Sequence, residues 1–239
     1  MMKIVLTYAY NGAKFNGLQT QPHKNTVEDA LNLALGHVGI YESVISSSRT
    51  DKGVHALRQK STTHCGEFWD LDKLKNMLNR HATPNIYIRE IKQVDESFQV
   101  RFDAKARLYS YILSHDKFSP FLADFVLFHP KVDMLRLNDC LSVFKGEHDF
   151  SAYKKNGTPN SSTIRTIYFA KAYRYKNYTI ISIKANGFLR AQIRFMVANV
   201  LKALNDDKIK LFKELFKEGK TLTKIPIAPN GLYLREVFY

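Results

Sequence analysis

A chain of 239 residues is long enough for one large domain or two of ordinary size, and a hydrophobic content of 45% excludes a disordered protein. Lys and Arg number 36 against 22 Asp and Glu, a net charge of +14 that calls for a polyanionic partner, nucleic acid before small anionic substrates. No apolar run approaches the roughly 18 residues of a membrane span, and Cys65 and Cys140 are far apart and form no CxxC, which argues against a zinc site.

In chain order, "KIVLTYAY" (3–10) reads as a strand and not as a leader, so a cytoplasmic location is expected. A polar loop, "NGAKFNGLQTQPHKN", follows. Val27, Ala30, Leu31, Ala34, Leu35 and Val38 then fall on one stripe of a helix, with Asn25 or Thr26 as its cap and Gly39 as its end. Residues 42–48 read as a strand that delivers the loop "SSSRTDKGVHALRQ". A strand over 54–64, a helix over 70–81 and an alternating strand, "IYIREIKQV", complete the first half. The mixed stretch 95–106 marks a boundary, dividing the chain into 1–102 and 103–239. In "RLYSYILSH", Tyr109, Tyr111 and Leu113 share one strand face and Leu108 and Ile112 the other. The polar stretch 153–163 reads as a mobile basic loop. A strand pair turning near Lys176-Asn177, a helix with Leu189, Ile193, Met196, Val197, Val200, Leu201 and Leu204 in phase, a second helix over 207–218 and a closing strand, "GLYLREVFY", follow. This order predicts an α+β protein with mainly antiparallel sheets.

The chain has no HExxH, Walker loop, GxSxG or GxGxxG, and its eight His residues lack metal-ligand spacing, so a metal-free mechanism is expected. Three places are left. Asp51 sits between Thr50 and Lys52, with Arg49 and Arg58 nearby and Gly53 next. Either this is a solvated turn, or the cations hold a carboxylate ionised for attack or proton abstraction. Tyr109 and Tyr111 either stack on a base, transfer a proton, or line a core. Arg194 lies at the margin of a buried helical stripe, on the side of Arg190. A cation at a helix start opposes the macrodipole, so an acid from another segment, a phosphate contact or a snorkelling side chain has to account for it.

Together these stretches are familiar. "SSRTDKGVHA" resembles the RTDxGVHA signature of the TruA-type tRNA pseudouridine synthases. "YAYNGAKFNGLQTQ", "RFDAKARLYSY", "GEHDFSAYKK", "NGFLRAQIRFMV" and "IAPNGLYLREVFY" match further stretches of that family in order and spacing, over essentially the whole chain. The resemblance implies two α/β subdomains with mainly antiparallel sheets joined across a basic central cleft, a homodimer, no metal and no organic cofactor. It also implies isomerisation of uridine to pseudouridine at positions 38, 39 or 40 in the anticodon arm of tRNA. On this resemblance Asp51 matches the catalytic carboxylate, Tyr109 the tyrosine that stacks on the uracil, and Arg194 the basic partner of the aspartate. Arg49 matches the arginine that fills the space left by a flipped base. Lys52, Arg58, Tyr111 and Gln192 are expected as further substrate contacts. Leu18, Lys52 and Ala191 depart from the family's usual Trp, Ala and His and bear on which uridines are chosen. A tRNA-binding or folding module without catalysis is the alternative.

Overall fold

Two units organise the chain in the computed structural model: Met1–Lys105 with Tyr233–Tyr239, and Ala106–Leu232. The described residues are 1–155, 157 and 162–239. The stretch expected as a mobile loop, 153–163, thus includes residues 156 and 158–161, which lie outside them.

In the first unit β1 (Met2–Tyr10) is followed by a 3-10 turn (Gly12–Lys14), α1 (Val27–Gly36), β2 (Ile45–Ser46), β3 (His55–Cys65), α2 (Leu71–Ala82) and β4 (Ile86–Gln93). β1 is the central strand. It pairs antiparallel with β3 and β4, so that Leu6 lies between Ser61 and Ile91. Ile4, Leu6 and Tyr8 have no exposed surface on one face, and Thr7 is buried on the other. α1 begins where Thr26 and Asp29 exchange hydrogen bonds in a capping box, an arrangement worth about 1 kcal/mol. Its stripe of Val27, Leu31, Ala34 and Leu35 is buried, and the helix ends at Gly36, before the positive-φ Gly39. α2 is stitched to β4 by Asn79, which donates to the Ile88 carbonyl at 2.9 Å and accepts from its N–H at 2.7 Å.

The strand expected over 42–48 shrinks to β2. Side chains satisfy its neighbours instead of a ladder: Val44 N–H donates to Asn32 Oδ1, and the Glu42 carbonyl accepts from Thr63 Oγ1.

The second unit contains β5 (Ala106–Ser114), β6 (Leu127–Phe128), α3 (Met134–Ser142), β7 (Gly146–Asp149), a 3-10 turn (Ser151–Tyr153), β8 (Ile164–Tyr175), β9 (Tyr178–Ala185), α4 (Gln192–Asn205) and α5 (Ile209–Lys217). β5, β9, β8 and β7 form an antiparallel series, and β6 adds in parallel to β5. The β8–β9 hairpin turns at Lys176, at φ +52°, as expected. α3, which the sequence reading left out, starts at Asp133, whose carboxylate accepts from two backbone N–H groups, and is tied to β8 by both amide atoms of Asn138 on Ala172. Phe144, Phe150, Tyr153, Phe212 and Phe216 form an aromatic core beside it.

The final strand, β10 (Leu232–Phe238), runs parallel to β3 with Tyr233 opposite His55, so all but its first residue belong to the first unit. The protein is α+β, with sheets mainly antiparallel. No helix of the described residues is long and apolar enough to cross a membrane.

Candidate active site

The loop that carries Asp51 joins β2 to β3, and three sets of contacts fix its shape. At its start, Ser47 N–H donates to the Lys60 carbonyl at 2.9 Å. Gln59, fully buried on β3, accepts from Ser47 Oγ at 2.8 Å and donates to the Ser48 carbonyl at 2.8 Å. At its middle, the Tyr10 and Thr50 hydroxyls are 2.8 Å apart, and Leu18 N–H donates to the Thr50 carbonyl at 3.2 Å. At its end, Val54 N–H closes a turn onto the Asp51 carbonyl at 3.1 Å, with Gly53 at φ +80°.

The upstream polar loop is the bed on which this turn lies. A Cβ at Gly12 would sit 1.9 Å from the Val54 carbonyl oxygen, and one at Gly17 would sit 3.0 Å from that of Thr50, with φ at +102°. Gly12 N–H also donates to His55 Nδ1 at 3.1 Å, and the His55 ring stacks on Tyr233 at 4.7 Å between centroids. The glycines of "NGAKFNG" are therefore there for backbone contact with the acid loop. Tyr10, Gln59 and His55 are the supports that the sequence reading missed. Their only signal was that all three lie inside the two stretches singled out for other reasons.

Asp51 is half-buried, while Arg49 and Lys52 on either side are exposed. Arg58, expected among the cations around the acid, is turned elsewhere. β3 carries an extra residue between the Tyr8–Gln59 and Tyr10–Ala56 pairs, and this bulge exposes both Leu57 and Arg58. The Arg58 guanidinium meets Glu236 of β10 at 2.8 Å.

The second unit holds the other expected residues. Tyr109 is buried on β5, opposite Ile183, and the Phe188 ring meets it edge-on at 5.3 Å. Tyr111, two residues on, has no exposed surface, and its hydroxyl donates to the Ala228 carbonyl at 2.8 Å. Burial pushes its phenol well above the ordinary tyrosine range, and the nearby charge of Arg194 works against that rise. Arg194 is in the first turn of α4. Its Nε donates to the Ile227 carbonyl at 2.7 Å, and its own carbonyl accepts from Ile227 N–H at 3.3 Å. One short segment, Ile227–Ala228, thus gathers Tyr111 and Arg194. A Cβ at the adjoining Gly231 would lie 2.9 Å from the Tyr111 ring, so that glycine lets the segment pass.

Gln192 is buried and faces inward, accepting from Leu189 N–H at 2.8 Å and donating towards Met196 Sδ. It serves as a side-chain lock on the start of α4. Ala191 before it stands in the left-handed region, at φ +58°, a conformation that costs a non-glycine residue roughly 1–2 kcal/mol. Such strain collects where a backbone is held for function. No group of His, Cys, Asp or Glu among the described residues is arranged to hold a metal ion.

What these loops can do chemically is narrow. The first unit offers a single carboxylate on a turn held by buried side chains, and the second unit, by itself, offers an aromatic pair and a tethered guanidinium. Comparison with known proteins is specific. Residues 6–103 and 141–239 match the family described as tRNA pseudouridine synthase. A protein of Campylobacter jejuni subsp. jejuni named tRNA pseudouridine synthase A is 44% identical over the full length of both chains. Namesakes in Helicobacter hepaticus and Helicobacter pylori are 37% identical (97% of this chain, 96% of theirs) and 35% identical (98% of each). With matches of this extent, the chain belongs to the tRNA pseudouridine synthase family, a family of isomerases.

Proposed function

We propose that this protein converts uridine to pseudouridine at position 38, 39 or 40 in the anticodon arm of tRNA, with Asp51 as the catalytic carboxylate. The observation that supports this reading best is the construction of the acid loop. An ordinary solvated turn has no need of a fully buried glutamine, a tyrosine and two glycine contacts beneath it. A reactive group does, because small misplacement of a reacting atom is costly in rate.

The reaction breaks the bond between ribose C1′ and uracil N1, turns the base and forms a bond from C1′ to C5. The C5 proton leaves and N1 gains one, so nothing is oxidised or hydrolysed and no cofactor is consumed. Asp51 acts on the ribose, on the base or on a proton. Tyr109 stacks on the uracil, and Arg194 pairs with the carboxylate and orients it. The uridine has to leave its stack first, at a cost of a few kcal/mol, and Arg49 takes the vacated space. Lys52 and Arg58 contact the RNA. Tyr111 and Gln192, whose polar atoms are engaged within the unit, act as positioning residues. The charge of +14 supplies phosphate attraction, and the working form is a cytoplasmic homodimer.

A tRNA transcript tritiated at uridine C5 tests the reading. Wild type is expected to release tritium to water, and Asp51→Asn to bind the transcript about as well and release none. Release by the variant would overturn the role of Asp51. Binding without release by wild type would favour a non-catalytic tRNA-binding protein.

A further inference from the structure

β5, which carries Tyr109 and Tyr111, ends at Ser114, and residues 115–126 form a loop before β6. Side chains and backbone from elsewhere in the second unit hold both ends of this loop. His115 N–H donates to the Asn177 carbonyl at 2.8 Å, and Asn177 Nδ2 donates to the Asp116 carboxylate at 2.7 Å. At the far end, Asn230 Nδ2 donates to the carbonyls of Ala123 (2.7 Å) and Val126 (2.6 Å). Between them Pro120 fixes its own φ, and Leu122 N–H closes a turn onto the Ser119 carbonyl at 3.1 Å. The Leu122 carbonyl in turn accepts from Phe125 N–H at 2.9 Å and from Val126 N–H at 3.1 Å. Asn230 belongs to Ile227–Gly231, the segment that also takes the Tyr111 hydroxyl and the Arg194 Nε. The loop is thus built on the same support as those two residues.

A loop fixed this firmly nevertheless turns two rings out to solvent. Phe118 is 72% exposed and Phe121 88% exposed, and among the described residues no large apolar side chain is more exposed than Phe121. The Phe128 ring braces Phe118 at 5.1 Å between centroids. Scattered exposed apolar residues are ordinary, but two in one locked turn are presented. They make too small a patch for a stable protein partner: two Phe side chains offer at most about 300–500 Å², against about 800 Å² for each partner of a standard interface. A nucleobase needs only one ring face, and a ring already held in place loses little freedom when a base stacks on it. The charge of +14 draws RNA to the protein, and unpaired bases are the part of RNA that aromatic side chains stack on.

We propose that Phe118 and Phe121 stack on unpaired bases of the substrate RNA, at nucleotides other than the target uridine. The loop leaves β5 at Ser114, five residues after Tyr109. That is a rise of roughly 17 Å along the strand, the span of several stacked nucleotides. The two rings set where the RNA lies on the second unit and take no part in bond making. This inference rests on the tRNA reading above.

The test measures tRNA transcript affinity between about 50 and 200 mM salt for the full-length wild type, Phe118→Ala, Phe121→Ala, Phe121→Leu and Phe121→Tyr. Thermal melting checks folding, and sedimentation checks the oligomeric state. Each alanine variant should bind at least about fivefold more weakly. Phe121→Leu, which keeps apolar bulk without a ring, should lose nearly as much as Phe121→Ala, and Phe121→Tyr should stay within about twofold of wild type. The slope of log affinity against log salt should not change, because no phosphate contact is removed. Wild-type affinity in either folded alanine variant, or in Phe121→Leu, overturns the stacking. So does a loss of affinity that comes with a change in oligomeric state, which would assign the rings to a second copy of the chain. Tritium release by wild type is read separately: its absence would overturn the functional reading and not the stacking, which is measured by affinity alone.

Discussion

Replacing Gln59 by Leu removes the clamp on the acid loop while keeping the side chain's bulk. The variant strips the Gln59 partner from the Ser47 hydroxyl and from the Ser48 carbonyl, and Oε1 also takes the neighbouring Lys60 N–H at 3.1 Å. Position 59 has no exposed surface, so water cannot substitute there without rearrangement. Each buried polar group left without its partner costs about 1–3 kcal/mol, giving about 2–6 kcal/mol for the two loop groups. For a chain of this length that is roughly a 4–24 °C fall in melting midpoint. The loop two to four residues away would drift, and on the catalytic role proposed for Asp51 a shift near 1 Å there costs about a hundredfold in rate. Circular dichroism melting and tritium release per folded enzyme read the two effects. Ser47→Ala then serves as the control. If the Ser47–Gln59 bond carries the effect, Ser47→Ala costs much less in the Gln59→Leu background than in wild type. A Gln59→Leu protein that melts within about 2 °C of wild type and keeps its turnover would refute the clamp.

Two further perturbations act on the same unit. Gly17→Ala places a methyl carbon 3.0 Å from the Thr50 carbonyl oxygen at φ +102°, so it should cost at least about 1 kcal/mol and lower kcat more than it changes KM, checked by melting and steady-state kinetics. His64 bridges Glu96 at 2.9 Å and Glu42 at 2.7 Å, and hydrogen bonding to Glu96, then Glu42, raises its pKa. A raised imidazole pKa contributes stability that is fully present below about pH 6.5 and is lost as pH climbs through the folded value. Urea midpoints for wild type should therefore fall between pH 6 and 8.5 by more than those of His64→Gln, and equal falls would show that the triad carries no such dependence.

Elements whose side chains alternate or recur on one face were legible in the chain: β1, α1, α2, β4, the β8–β9 hairpin and α4 appear where periodicity puts them. Elements made by distant partners were not. β2 is cut to two residues because Asn32 and Thr63 take the backbone groups that a longer ladder would have used. The closing strand reads as a strand, but nothing in "GLYLREVFY" says that it runs parallel to β3 in the first unit. α3 went unread although Leu137, Cys140 and Leu141 stand in phase on its buried face, after the cap at Asp133.

The same division runs through the site. Asp51 was visible as an acid set among cations, because a charge pattern is local. Arg58 belonged to that pattern only on paper, since it lies within a β-bulge, invisible in sequence, and its guanidinium meets Glu236. Tyr109 and Tyr111 look equivalent as i and i+2 on one strand face. The segment Ile227–Gly231, more than a hundred residues later, is what separates them: it takes the hydroxyl of one and leaves the ring of the other against Phe188. That segment also holds Arg194 from both directions, through Nε and through the backbone carbonyl. A guanidinium whose Nε is fixed by a carbonyl is held in a set orientation. The glycine at 231 is thus as much a part of the arginine's aim as the arginine's own rotamer. Any larger residue there has to push the Tyr111 ring or the segment itself, and with it the charge at 194.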